Sequence, residues 1–411
     1  MPRPGAVAVI AMVSAALGGA GALALGQATG LVDGGGTRTE RVVVSAQEAA
    51  PAAERVEGDA ALPLTGNGFD ASEIYAKRAS GVVTIFALFG DEAQTAPGSA
   101  AQGSGFVVSD DGYVLTNSHV ITTAGEAGTV GEPEAATTVY IQFRDGERVP
   151  DEIVGWDVYD DVGLLKVDPA LHPVSPVPLG DSSTIVVGEP VAAIGSPFGQ
   201  ESSLSVGVVS ATQRSIDSIT SGYNLVDAIQ TDAPINRGNS GGPMFDAGGE
   251  VIGINAQIRS ESGTAEGVGF AVPINAARRS MEQLIQTGRV AYAWLGVTTQ
   301  TVTPRLAEEL GFDAPAGAIV QDVVEGSPAA RAGLRGGTSD REFEGIPIRA
   351  GGDLIVAIDG DAVESAEDVV RAVTQRLLPG QSVELTVLRG NAERTITVVL
   401  GERPATPPRL N

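Results

Sequence analysis

The stretch Thr231-Asp232-Ala233-Pro234-Ile235-Asn236-Arg237-Gly238-Asn239-Ser240-Gly241-Gly242-Pro243 decides the reading of this chain. Its serine sits between glycines, where the backbone can take positive φ and no side chain crowds the hydroxyl. A serine hydroxyl alone is a weak nucleophile. It needs a base within hydrogen-bond reach and donors aimed at the oxygen that becomes negative. The turn's own N–H groups can supply such donors. Gly238, Asn239 and Ser240 therefore form the candidate oxyanion hole, with the N–H groups of Gly238 and Ser240 as its donors. Taken without its surroundings, Gly-Asn-Ser-Gly-Gly also fits an ordinary hairpin turn.

The base narrows the choice. The chain has two histidines. One lies in Leu115-Thr116-Asn117-Ser118-His119-Val120, directly after an apolar run. A carboxylate follows in Asp157-Val158-Tyr159-Asp160-Asp161-Val162-Gly163-Leu164-Leu165. The order His119, Asp161, Ser240 is that of the chymotrypsin-type triad and differs from those of subtilisin and the α/β-hydrolases. Asp160 and Asp157 are rivals for the acid, and the cluster also fits a solvated acidic turn. The other histidine, His172, lies in the proline-bounded Leu171-His172-Pro173-Val174 and reads as a surface residue.

Four stretches, Gly103-Ser104-Gly105-Phe106, Thr116-Asn117-Ser118-His119-Val120, Asp161-Val162-Gly163-Leu164-Leu165 and Gly238-Asn239-Ser240-Gly241-Gly242, closely resemble the HtrA/Deg family of serine proteases. The resemblance runs from about Ile74 to Gly401. It implies a mainly β fold, with a chymotrypsin-like double β-barrel followed by a PDZ domain, and selects Asp161 as the acid. It also implies an ATP-independent endopeptidase acting on unfolded chains, with loops that order when a peptide binds. Candidate loops are Gln213–Leu225 and Arg259–Glu266, and each also fits a passive connector. A homotrimer is implied by resemblance alone. Asn239 departs from the digestive enzymes, whose aspartate at this position pairs with a freed N-terminal amine. An amide cannot form that ion pair, so no activating cut is expected.

Trypsin-like selection for Lys or Arg needs an acidic residue at the pocket floor. That position is Pro234 here. By resemblance, Ile235 and Ile258 line the pocket, which implies cleavage after Val, Ala, Ile or similar residues. Such residues are usually buried in folded proteins, which points to unfolded substrates. Asp232 is expected to make structural hydrogen bonds. In the second domain, Trp294-Leu295-Gly296-Val297 corresponds to the family's carboxylate-binding loop, where a peptide C-terminus would add as a strand. The same residues also fit a domain core.

Composition sets outer limits. At 411 residues the chain has room for two or three domains. Lys and Arg number 26 against 51 Asp and Glu, and the net charge of −25 argues against a nucleic-acid partner. Cysteine is absent, so disulfides are excluded. No cofactor or nucleotide site is suggested. Two distant histidines without cysteine predict no metal-ligand cluster.

From Gly5 to Leu25 the sequence is almost entirely Ala, Val, Leu, Ile and Gly. That is about the 20 residues a bilayer core demands, so a membrane anchor is expected, with a cleaved signal peptide as the alternative. Either way the body is exported. The expected organisation is an anchor or signal over 1–32, a flexible linker over 33–70, a protease domain over 71–290, a PDZ domain over 291–402 and a tail over 403–411. Two sets of short strand-like runs fall within 81–167 and 187–273, with His119 and Asp161 in the first and Ser240 in the second. Helices are predicted after Asp70, over Ile274–Gln286 with Gly288 as a stop, and over Ser365–Arg376. The segment Gly336–Arg349 is an insert of undetermined form. A second function class also fits: a chaperone or envelope-stress sensor whose main work is holding peptides.

Overall fold

The computed structural model describes residues 68–90, 100–125, 133–196, 203–236, 238–256, 268–405 and 407–408. All of them lie in one compact unit, Ala61–Asn411. The expected anchor and most of the expected linker lie outside the described residues. Among those described, no helix is long and apolar enough to cross a membrane.

The first helix, α1 (Ala71–Arg78), begins where the sequence predicts. The Asp70 carboxylate accepts from the N–H groups of Ser72 and Glu73 at 2.9 and 3.0 Å, satisfying two otherwise orphaned donors. Six strands follow: β1 (Val82–Leu88), β2 (Ala100–Val107), β3 (Tyr113–Thr116), β4 (Thr138–Gln142), β5 (Arg148–Asp157) and β6 (Val162–Lys166). They close a barrel in the order β1-β2-β3-β6-β5-β4. The turn α2 (Ser118–Ile121) follows β3 and carries His119.

A second closed barrel, ordered β10-β11-β12-β9-β8-β7, is built from β7 (Pro190–Gly195), β8 (Ser203–Asp217), β9 (Asn224–Thr231), β10 (Pro243–Phe245), β11 (Val251–Ala256) and β12 (Gly269–Pro273). Each barrel fills its own interior. Ile85, Val114, Ile141 and Leu165 meet in the first, and Val191, Ile229, Met244 and Ile252 in the second. A shared cluster joins them, including Phe106, Leu115 and Leu164 from one barrel and Ile194, Phe245 and Ile254 from the other. The helix α3 (Ile274–Thr287) packs Ile274, Ala277 and Leu284 into that shared cluster and ends on Gly288 at φ 72°. A left-handed glycine at that position is a common helix stop.

The second module begins with β13 (Ala293–Trp294) and β14 (Val297–Val302). It continues through α4 (Pro304–Leu310), β15 (Gly317–Val323), α5 (Pro328–Ala332), β16 (Ser339–Phe343), β17 (Ile346–Ala350), β18 (Leu354–Ile358) and β19 (Asp361–Ala362). Then come α6 (Ala366–Arg371), β20 (Ser382–Arg389), β21 (Ala392–Val399) and β22 (Gly401–Glu402). Strands β14-β15-β18-β20-β21 form its main sheet, and β13 pairs with β22, so the module's two ends lie side by side. The insert over 336–349 contains the hairpin β16–β17. The helix expected over Ser365–Arg376 is α-helical only to Arg371 and finishes in a wider π turn over Ala372–Arg376.

One expectation needs correction. The segment Gln213–Leu225, expected as a loop, is largely strand: β8 runs on to Asp217 and β9 starts at Asn224. The pairing shifts register at Ala211, Arg214 and Ile216, and these bulges let a polar run continue as sheet. Arg259–Glu266 lies outside the described residues.

Candidate active site

Geometry separates Asp161 from the other two acids of its stretch. Asp161 Oδ2 lies 2.8 Å from His119 Nδ1. Its Oδ1 accepts from the His119 N–H at 3.1 Å and from the Ser118 hydroxyl at 2.8 Å. Asn117 Nδ2 holds the Asp161 carbonyl at 2.8 Å. These contacts compensate a left-handed backbone, φ 52°, which costs a non-glycine residue roughly 1–3 kcal/mol. Asp157 and Asp160 point elsewhere, towards Ser280, Tyr292 and Arg279.

His119 has a raised pKa. Burial works against its protonation, but the charge and hydrogen bond of Asp161 outweigh that penalty. The pairing fixes Nδ1 towards the acid and leaves Nε2 for proton exchange.

The Ser240 turn is gripped by the histidine's barrel. Ser104 of β2 donates its N–H to the Ser240 carbonyl at 2.8 Å and its hydroxyl to the Gly238 carbonyl at 2.6 Å. Thr116 of β3 donates to the Ser104 carbonyl at 2.7 Å. Gly241, at φ 84°, has no room for a side chain: a Cβ there would fall 2.2 Å from the Ser104 carbonyl oxygen and 2.3 Å from Thr116 Oγ1. Within Gly103-Ser104-Gly105-Phe106, nothing local singles out Ser104 for this role. Its effect depends on contacts between barrels, which chain order does not reveal.

Ser240 Oγ is buried and makes no hydrogen bond among the described residues, so the serine–histidine bond is not closed here. Such bonds are often loose before substrate binds. The Asn239 N–H donates to the Asn236 carbonyl at 3.0 Å, so this member of the expected oxyanion hole is spent inside the turn. The Ser240 N–H has no acceptor among the described residues. Gly238 takes φ 99°, in the range that favours glycine.

Asp232 accepts from the Val208 N–H at 2.7 Å, the structural role expected of it. Ile235 packs against Gly269 of β12, where an added Cβ would meet its Cγ1 at 2.7 Å. Ile258 lies outside the described residues.

In the second module, Trp294, Leu295, Gly296 and Val297 line a groove of about 370 Å³. Val369, Val370 and Val373 of α6 and the turn after it form its apolar wall, and Tyr223 and Asn224 of the second barrel border it. The carbonyls of Leu295 and Gly296 accept from Ala329 and Val324, both at 2.9 Å, which fixes the loop's backbone. Among the described residues, neither the Leu295 nor the Gly296 N–H has an acceptor. Leu295 also belongs to the module's core, so the core and groove readings both hold for it.

His172 stacks on Phe143 at 3.8 Å between ring centroids. Its Nε2 lies 3.0 Å from Asp145 and its Nδ1 2.7 Å from the Pro173 carbonyl. The expectation that no ligand cluster could form needs correcting here, because potential ligand atoms of Asp145, Glu147 and His172 lie within 4.8 Å of one another. Both acids are exposed, and such groupings are common without an ion.

The family model of the trypsin-like peptidase domain matches residues 103–254, and that of the PDZ domain matches residues 293–400. A probable periplasmic serine endoprotease, DegP-like, from Halomonas elongata is 40% identical over 323 residues, covering 77% of this chain and 61% of that relative. A protein of the same description from Hahella chejuensis is 40% identical over 320 residues, with 77% and 61% covered. The chain thus spans about three-fifths of the length of these relatives. Among solved structures, the HtrA-type protease AlgW with tripeptide is similar at TM-score 0.67 and 34% identity, with 82% of this chain and 98% of that chain covered. The serine endoprotease from Yersinia pestis is similar at TM-score 0.57 and 28% identity, with 82% and 98% covered.

Proposed function

The chain belongs to the HtrA-type serine protease family, and on that footing we propose that it is an exported, ATP-independent endopeptidase that cleaves unfolded polypeptides after small aliphatic residues. The observation that carries the reading is the Asp161–His119 pairing at 2.8 Å beside a serine turn gripped by Ser104. Ser240 Oγ attacks the peptide carbonyl as His119 Nε2 takes its proton, and the same nitrogen returns that proton to the leaving amine. Asp161 holds the tautomer and stabilises the imidazolium. The N–H groups of Gly238 and Ser240 receive the developing oxyanion. A water activated by His119 then hydrolyses the acyl-enzyme and frees the serine.

Ile235 gives the pocket an apolar lining, and the second module captures peptide C-termini through Trp294–Val297. The relatives' periplasmic description supports a place outside the cytoplasm, with Gly5–Leu25 as anchor or signal. The homotrimer rests on family resemblance alone.

Incubating the purified chain with a denatured protein and mapping its cut sites tests the reading. Cuts after Val, Ala or Ile that vanish in Ser240→Ala are expected; cuts after Arg, or cuts retained in that variant, count against it. The groove of about 370 Å³ supports a second reading, peptide holding with proteolysis secondary. Suppression of aggregation by Ser240→Ala at the level of the unmutated chain would favour it.

A further inference from the structure

Directly before the catalytic acid, the turn joining β5 to β6 carries two more acids that the mechanism does not use. Asp157 and Asp160 are 2% and 7% exposed. Both reach the hydroxyl of Tyr292, the residue that leads into β13, at 2.5 and 2.8 Å. Asp157 Oδ2 also accepts from Ser280 of α3 at 2.6 Å, and Asp160 pairs with Arg279 of α3 at 2.8 Å. Within the turn, Asp157 Oδ1 accepts the N–H of Tyr159 at 2.9 Å and that of Asp160 at 3.4 Å.

A tyrosine has one hydroxyl proton. It can serve one of these two carboxylates as donor, so both contacts are hydrogen bonds only when the other carboxyl carries a proton and donates it to Oη. Burial, then the charge of Asp160, pushes Asp157 up to about 6, so it holds a proton mainly below that pH. Among the other groups around the site, Thr220 Oγ1 donates to the Val158 carbonyl of the same turn at 2.5 Å, and the charge of Glu402 acts on Tyr159. Tyr159 meets the Tyr292 ring edge-on at 5.0 Å, and the guanidinium groups of Arg279 and Arg403 each lie 5.3 Å from its centre. Tyr223 completes the surround, facing Tyr159 and Arg403.

We propose that Tyr292, acting through Asp157 and Asp160, is a positioning residue for the catalytic acid Asp161. Its hydroxyl accepts from the protonated carboxyl and donates to the ionised one, so that the pair does not stand as two facing carboxylates, and it clamps the turn whose next residue is Asp161. That residue sits at φ 52° and needs its neighbours to hold it there. The clamp ties the acid to α3 through Ser280 and Arg279, and to the start of the second module through Tyr292.

The inference rests on the endopeptidase reading above. Its test is the pH profile of peptide cleavage by the full chain and by Tyr292→Phe, which keeps the ring contacts and loses only the hydroxyl. In the variant kcat is expected to fall roughly tenfold with KM within about twofold. The acid limb of kcat/KM is expected to move down by about half a pH unit, because a misplaced Asp161 supports the imidazolium less well. Adding Asp157→Asn to Tyr292→Phe removes the repulsion and is expected to restore most of kcat. If Tyr292→Phe does not fold, Ser280→Ala takes its place, since it strips the other hydroxyl from Asp157 Oδ2 and should move the limb the same way. An unmoved limb and an unchanged kcat in the folded variant overturn the inference alone. An unmutated chain that cleaves nothing overturns both readings.

Discussion

His119 Nδ1 and Asp161 Oδ2 stand 2.8 Å apart, while the backbone N–H of the same histidine binds the other oxygen of the same carboxylate. This double hold dictates what an amide in that position would do. Asp161→Asn would present an N–H where an acceptor is required, favour the wrong imidazole tautomer and lower kcat by roughly 10³- to 10⁴-fold. Asp160→Asn, one residue away, touches neither ring nitrogen and should cost far less. Comparable losses in the two variants would mean that the acid has been misassigned.

The raised pKa of His119 sets the acid limb of activity. The imidazole must be neutral to act as base, so activity falls as the pH drops through a value above the ordinary 6.5 of histidine. A kcat/KM profile whose acid limb lies below 6.5 would contradict the Asp161 contact.

Asp151 on β5 offers a test of stability. Its Oδ2 is buried without a hydrogen-bond partner among the described residues, and burial pushes its pKa from 3.8 up to about 7. The folded state therefore holds this proton more tightly than the unfolded chain. The resulting stabilisation is fully present below pH about 3.8 and lost as the pH rises through about 7. Thermal melts of Asp151→Asn should match the unmutated chain near pH 4 and exceed it at pH 8. An equal or lower midpoint at pH 8 would overturn this account.

Gly241→Ala should damage the active site without touching any catalytic side chain. Its Cβ would collide with the Ser104 carbonyl and the Thr116 hydroxyl, and alanine strains at φ 84°. The expected cost is about 3 kcal/mol or more, with loss of cleavage. Retention of both stability and activity would show that the turn can shift away from β2.

Carboxylate capture, as proposed, would use the Leu295 and Gly296 N–H groups, which have no acceptor among the described residues. A peptide ending in an apolar residue with a free C-terminus should bind at least about tenfold more tightly than its C-terminal amide, measured by fluorescence anisotropy. Equal affinities would leave the loop as core alone.

Much of the architecture is legible from local sequence. Apolar runs bounded by turn residues confine the strands of the two barrels to 81–167 and 187–273, and Gly288 marks the end of α3. Other features escape because their causes are not local. The β16–β17 hairpin turns on Glu344-Gly345, both at positive φ, whereas sequence reading looks for Asn-Gly or Asp-Gly there. Asp157, Asp160 and Asp161 look alike in the chain, and only the positions of His119, Arg279 and Tyr292 separate them. Ser104 is silent for the same reason, since its partners lie on the other barrel.

The pairing of Ala293–Trp294 with Gly401–Glu402 brings the chain into the second module and out of it at one place. Tyr292 grips Asp157 just before that place, and just after it Tyr159 Oη and Tyr223 Oη reach the Pro404 carbonyl at 3.1 and 3.0 Å. Arg371 and Gln375 fasten the module a third time, to Asp227. A nick between Gly288 and Ala291 would therefore break the covalent thread and still leave the two fragments travelling together on a sizing column. Removing the few residues beyond Glu402 cuts no peptide bond between the modules, yet by taking away the Pro404 contacts it would loosen their union more.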